Sequence, residues 1–174
     1  NPTRHISHIR MNFSKTEYIA GILEKELNLS VTCATDVLQP YIMINAEDLT
    51  GICLYLSRTP GLYFDFLNCI TCVDNGPDKG SMNLLYHISS LPLEHAVILK
   101  MSVGREEQQV PSLASLWRTA DWHEREIFDL FGIGFRGHPD LRRILLPADW
   151  EGHPLRKDYI EQETYHGIKV KYDA

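Results

Sequence analysis

A chain of 174 residues, 44% hydrophobic and 23% charged, with a net charge of −6, suits one domain, or one domain with an appendage, that buries roughly 70% of its unfolded surface without staples. The longest stretch free of charge, Gly80 to Leu93, holds 14 residues and includes His87 and Pro92, short of the about 20 apolar residues of a membrane-spanning helix. Ordinary apolar and aromatic content excludes disorder, the acidic balance opposes nucleic-acid binding, and four cysteines are too few for a disulfide scaffold.

Cys33, Cys53, Cys69 and Cys72 therefore read as reduced intracellular thiols. Asn1–Asn12 has no apolar signal core, which points to a cytosol-facing chain. The absence of an initiator Met points to missing N-terminal residues or a removed presequence.

Ser14 and Glu17 have the spacing of a capping box, followed by Ile19, Ile22, Leu23 and Leu27 at helical intervals, so a helix is predicted over about 15–28. Residues 31–35 and 38–44 read as strands, with Pro40 marking an edge or bulge. Asn45 is placed to cap a second helix carrying Leu49, Ile52, Cys53 and Leu56, which Thr59-Pro60-Gly61 stops. Residues 63–73 and 82–90 are strand-like and joined by the turn-rich stretch 74–80; residues 96–103 alternate like a further strand. The order α-β-β-α-β-β-β predicts an α+β fold, a mostly antiparallel sheet with helices packed on one face.

Beyond Pro111 the pattern changes. Leu113, Leu116, Trp117 and Ala120 make a short helical stretch, Asp121 and Glu124 repeat the cap-like spacing, and a helix is predicted over about 122–131, with Gly132 at its left-handed C-terminal position. From there periodicity fades. The division drawn from this is an α+β domain over 1–134 and an extended C-terminal segment over 135–174.

Motifs for chemistry fail one after another. Gly132-Ile-Gly134-Phe-Arg-Gly137 spells G-x-G-x-x-G, but a helix precedes it and His138-Pro139 follows, so no helix N-terminus faces a pyrophosphate. Cys69 and Cys72 have knuckle spacing without a second pair, and three residues apart on a strand they point to opposite faces. His123-Glu124 begins H-E-x-x-H, but Ile127 stands where the second histidine belongs. The carboxylates Glu124, Glu126 and Asp129 could serve acid–base chemistry. An ion-pair cluster ranks ahead of that reading: Arg125 and Asp129 are one helical turn apart, and Glu124, close to an apolar stripe, needs a partner such as Arg142, Arg143 or Arg156.

One block is specific. Trp122-His-Glu-Arg-Glu-Ile-Phe-Asp-Leu-Phe-Gly-Ile133 runs into His138-Pro-Asp-Leu-Arg-Arg-Ile-Leu-Leu-Pro147 and ends in Asp149-Trp-Glu-Gly-His-Pro-Leu-Arg-Lys-Asp-Tyr159. These 38 residues closely resemble the diagnostic segment of the C subunit of the proton-pumping NADH:quinone oxidoreductase, respiratory complex I. Glu124-Arg125-Glu126, Asp129, Leu130-Phe131, His138, Arg142 and Ile144-Leu145 fill the places of the family pattern. The resemblance implies a non-catalytic assembly subunit of the peripheral arm, on the cytoplasmic side of a bacterial membrane or the matrix side of a mitochondrial one. Its membrane association would be indirect. It implies no cofactor in this chain, with FMN and iron–sulfur clusters in neighbouring subunits. The implied partners are those subunits, chiefly the large one that helps form the quinone pocket. The equivalent subunit of a related membrane-bound hydrogenase or another quinone reductase is the alternative. Glu124, Arg125, Glu126, Asp129, His138, Arg142, Arg143, Trp150, Arg156, Lys157 and Tyr159 are expected at structural or partner contacts, with no catalytic, cofactor or metal residue. The C-terminal segment, with Tyr165 a further anchor, is expected to wrap a partner.

Overall fold

The structure is a computed structural model that describes residues 2–106 and 109–171, with residues 2–14 as backbone alone. The first element, α1 (Pro2–Leu27), starts well before the predicted helix. Ser14 therefore falls inside it rather than at its cap, and its side chain lies outside the described residues. Thr16, Ile19, Ala20 and Leu23 are buried at helical spacing.

Five strands form the main sheet in the order β1-β2-β5-β4-β3. They are β1 (Thr32–Ala34), β2 (Tyr41–Met43), β3 (Phe66–Asp74), β4 (Ser81–Ser90) and β5 (His95–Gly104). All neighbours are antiparallel except β2 and β5, which run parallel. Pro40 marks no edge: it stops one residue short of β2, an interior strand, where its missing N–H costs no ladder bond. Asn45 does not cap α2 (Leu49–Arg58) directly; a short 3-10 turn, Ala46–Asp48, intervenes, and the Asn45 amide bonds Asp48 instead.

Alternation builds the core. Met82, Leu84, Tyr86 and Ile88 of β4 and Val97, Leu99, Met101 and Val103 of β5 point to one face, as a period of two requires. There they meet the buried stripes of α1, α2 (Leu49, Ile52, Cys53, Leu56) and the long helix of the C-terminal half in one continuous core. Each fully buried leucine or isoleucine there contributes about 1.5–3 kcal/mol relative to exposure. The fold is the α+β sandwich that the pattern predicts.

The predicted helical stretch at 113–120 is a single turn closed by Leu116 and Trp117 N–H bonds to Leu113 O. Trp117 is extended, and α3 (Arg118–Phe131) begins at once. Asp121 and Glu124 thus lie within the helix and cap nothing. Beyond it, β7 (Gly134–Arg136) pairs in parallel with β6 (Gln109–Pro111), burying Phe135 against the core. The expected boundary after residue 134 consequently falls inside a strand. The rest of the chain lies largely without regular structure along α3, apart from a small hairpin of β8 (Thr164–Tyr165) and β9 (Ile168–Lys169). Among the described residues no helix is long and apolar enough to cross a membrane.

Candidate functional site: a clasp between α3 and the C-terminal segment

The last turn of α3 leaves carbonyls without helical partners, and the segment beyond it supplies them. Asp129 O accepts from Arg143 Nη1 at 3.0 Å and from His153 Nδ1 at 2.9 Å, Leu130 O accepts from Leu155 N at 3.0 Å, and Phe131 O from Arg156 Nε at 2.6 Å. Because a carbonyl can only accept, His153 carries its proton on Nδ1 here. Gly132 closes the helix at φ 77°, and a Cβ there would stand 2.6 Å from the His153 ring. Two reasons therefore require glycine: the left-handed backbone and the close approach of the clasp.

Asp129 is the centre. Its side chain is 0% exposed, and Arg143 Nη1 donates to Oδ1 at 2.7 Å. The N–H groups of Ile144, Leu145 and Leu146 converge on Oδ2 at 2.8–3.0 Å. Burial alone would push this carboxyl up, but the bonds from Leu146, Arg143, Leu145 and Ile144 outweigh it and hold it below its usual range. The Arg143 fork also binds the carbonyls of Trp150 and Gly152, so one guanidinium ties α3 to two later turns.

Helical spacing offers Arg125 as the partner of Asp129, and the structure corrects this. Arg125 bonds the carbonyls of Arg142 and Arg143 and lies over the Trp122 ring, 5.5 Å from its centroid. Glu124 is corrected likewise, for no arginine reaches it. It is fully buried and accepts from Ser112 Oγ at 2.5 Å and Leu113 N at 2.7 Å. Burial, the larger influence, pushes its carboxyl up against those two bonds. His138 sits beside it with Nε2 4.0 Å from Glu124 Oε2 and 3.2 Å from Asp121 Oδ1. Since His138 Nδ1 accepts the Asp140 N–H, the ring proton is on Nε2, which donates to the Asp121 carbonyl at 3.2 Å.

A second clamp is not legible in the sequence. Arg105, from the end of β5, binds both oxygens of Asp74 at 2.9 and 3.0 Å and pairs with Asp158. Asp74 also takes the N–H of Gly76 and of Lys157. Burial opposes these bonds, yet together they hold its carboxyl down at about 2. Asp74 opens a turn-rich stretch and reads as an ordinary turn former; nothing in it announces a partner 83 residues away. His153, and the bond of Ser112 to Glu124, escape sequence reasoning for the same reason.

The other expected contact residues divide. Trp150 Nε1 donates to Tyr159 Oη at 3.2 Å, and Tyr165 packs on Trp150 with ring centroids 5.2 Å apart; the three aromatics hold one another. Arg142 is exposed and pairs with Asp140. Glu126 is exposed beside a cleft between α3 and β3. Lys157 contributes its backbone N–H. Among the described residues no group of three or more His, Cys, Asp or Glu is placed to hold a metal. Cys33, Cys53, Cys69 and Cys72 are free thiols; burial pushes Cys72 up to about 12 and Cys53 higher still.

The clasp is built from the diagnostic block, and comparison with known proteins finds the same assignment. Residues 42–165 match the family model described as respiratory-chain NADH dehydrogenase, 30 Kd subunit. The chain belongs to this family. The C subunit of the NADH-quinone oxidoreductase of Chlorobium phaeobacteroides is 46% identical over 131 residues, 75% of this chain and 78% of the relative. That of Chloroherpeton thalassium is 44% identical over 137 residues, 78% of this chain but 56% of the relative; the chain thus spans little more than half of that protein. Among solved structures, the trypsin-resistant fragment of Nqo5 superposes with TM-score 0.57 at 25% identity, covering 69% of this chain and 96% of the fragment. An archaeal membrane-bound sulfane sulfur reductase complex contains a chain with TM-score 0.69 at 22% identity, covering 84% of this chain and 86% of that one; that likeness concerns the fold.

Proposed function

We propose that this 30 Kd-family chain is a structural subunit of the peripheral arm of an NADH:quinone oxidoreductase and carries no catalytic residue. In this reading electrons pass from NADH through flavin and iron–sulfur clusters of neighbouring subunits to quinone. The chain fixes those neighbours, chiefly the large subunit of the quinone pocket, on the cytoplasmic or matrix side of the membrane, and touches the membrane only through them.

The observation that carries this reading is the saturation of the clasp. Asp129 spends both oxygens on four donors and Glu124 both of its own on two, whereas acid–base work needs a carboxyl that can reach substrate. The block that names the family builds a rigid edge. On it Trp122, Leu145 and Leu155 remain 52–63% exposed, with Ile160 just beyond it at 83%, large apolar groups of the sort that anchor interfaces. Residues 136–157 carry five basic and three acidic side chains within an acidic chain, which suits an acidic partner rim.

Purification through a tag on this chain tests the proposal. NADH:quinone reductase activity and the cluster-bearing subunits should co-purify, while the chain separated from them should be colourless. Stoichiometric visible absorbance in the separated chain, or turnover without the neighbours, would contradict it.

A further inference from the structure

β3 is an edge of the main sheet, and beyond a register shift between Leu67 and Cys69 it carries few of the devices that protect an edge. It is nine residues long, Phe66–Asp74, and contains no Lys, Arg or Pro. An edge of this kind turns the N–H and C=O of alternate residues outward and templates another strand. At one end Leu67 O accepts from Thr119 Oγ1 at 3.1 Å, and at the other the Asp74 side chain is held by Arg105 and Lys157 N. Among the described residues no further hydrogen bond reaches the outward backbone groups of residues 68–73.

Beside the open stretch lies a cleft of about 240 Å³ between β3 and α3. Ile70, Ile127, Leu130 and Leu155 give it apolar walls; Thr71 brings it to the strand edge, and Glu126 stands at its rim. Glu126 makes no hydrogen bond or ion pair with any described residue, whereas Glu124 and Asp129 of the same helix have both oxygens bonded. The cleft accommodates one leucine- or phenylalanine-sized side chain.

We infer that an extended segment of a neighbouring subunit adds to β3 as a sixth strand, seating one apolar side chain in this cleft and a Lys or Arg against Glu126. This rests on the subunit assignment above. The occupant is an extended backbone because only that chemistry satisfies outward N–H and C=O groups in a row. A helix has spent its own backbone groups and would leave these unbonded. A basic neighbour to the apolar side chain follows from the lone carboxylate.

Hydrogen exchange on the purified oxidoreductase complex tests this, with the free chain as reference and Glu126→Arg and Glu126→Gln as variants. The outward amides of residues 69–73 should exchange about 100-fold more slowly in the wild-type complex than in the free chain. The Glu126→Arg complex should be recovered in about fivefold lower yield and lose part of that protection, with Glu126→Gln in between. Equal exchange of these amides in the free and assembled wild-type chain overturns the inference, and so does protection that Glu126→Arg leaves unaltered. Failure of the wild-type chain to co-purify with any oxidoreductase subunit would instead defeat the assignment on which the inference rests.

Discussion

The sheet core and the α3 clasp are both buried, yet they hold together by opposite means. In the core, Leu84, Ile88, Leu99 and Met101 pack by shape and area, with no direction to their attraction. In the clasp, Asp129 and Arg143 meet with defined angles and a fixed number of donors. The core can lose a methylene and repack; the clasp cannot lose a partner without leaving a buried charge bare. The difference teaches why an acidic, polar block can be the diagnostic part of a chain whose stability comes mainly from its apolar body.

Cutting the chain after Arg136 is the harshest test of the contrast. It should unfold the α3 end of the body, because Asp129, Glu124 and the last carbonyls of α3 lose their surroundings together; a well-dispersed NMR spectrum of the truncated chain would show the body to be independent. Next, Arg143→Ala should cost about 3–5 kcal/mol in chemical denaturation by stranding Asp129. Arg143→Lys should recover less than half of that, since one ammonium cannot reproduce the fork. Leu84→Met, the same exercise in the core, should cost under about 1.5 kcal/mol. A costlier core swap than clasp swap would erase the distinction. Gly132→Ala should cost about 1–3 kcal/mol from the left-handed backbone and the His153 contact, read by the same melts.

The pH dependence sharpens the comparison. Asp74 is depressed to about 2 and Asp129 is depressed as well, so each favours folding above its unfolded value near 3.8 and loses that contribution as pH falls through the folded value. Stability should therefore drop between about pH 4 and 2. Glu124 is raised and has the opposite sign: its contribution fades as pH rises from about 4.5 upward. Glu124→Gln should flatten that upper limb and leave the acid limb in place; an unaltered profile would show that Glu124 does not titrate between the two states. The smallest effect is expected from Arg142→Ala, about 0–1 kcal/mol, because its pair with Asp140 is exposed.

What can be read in advance divides along the same line. The strands β3, β4 and β5 and the stripe of α2 follow from alternation and helical spacing, because local geometry alone decides which face a residue presents. Gly132 is legible from its place after the last apolar turn. Arg125 and Glu124 mislead alike: helical spacing permits Arg125 to pair with Asp129, and a carboxylate near an apolar stripe calls for an arginine, but the donors that win are chosen by the fold. Ser112 and Leu113 take Glu124, and Arg143 takes Asp129, at separations of 11–14 residues.

By itself, then, the sequence determined the fold class, the apolar core and membership of the family, since periodicity and a specific residue pattern are local properties of the chain. The tertiary structure alone decided which charge meets which, that residues 137–159 lie bonded along α3, and that the outward backbone groups of residues 68–73 on the β3 edge and the Glu126 carboxylate stay unbonded among the described residues. Burial removes water as a competitor, so a charge takes whichever distant partner the packing brings within about 3 Å. That choice is made by the fold and is written at no single position.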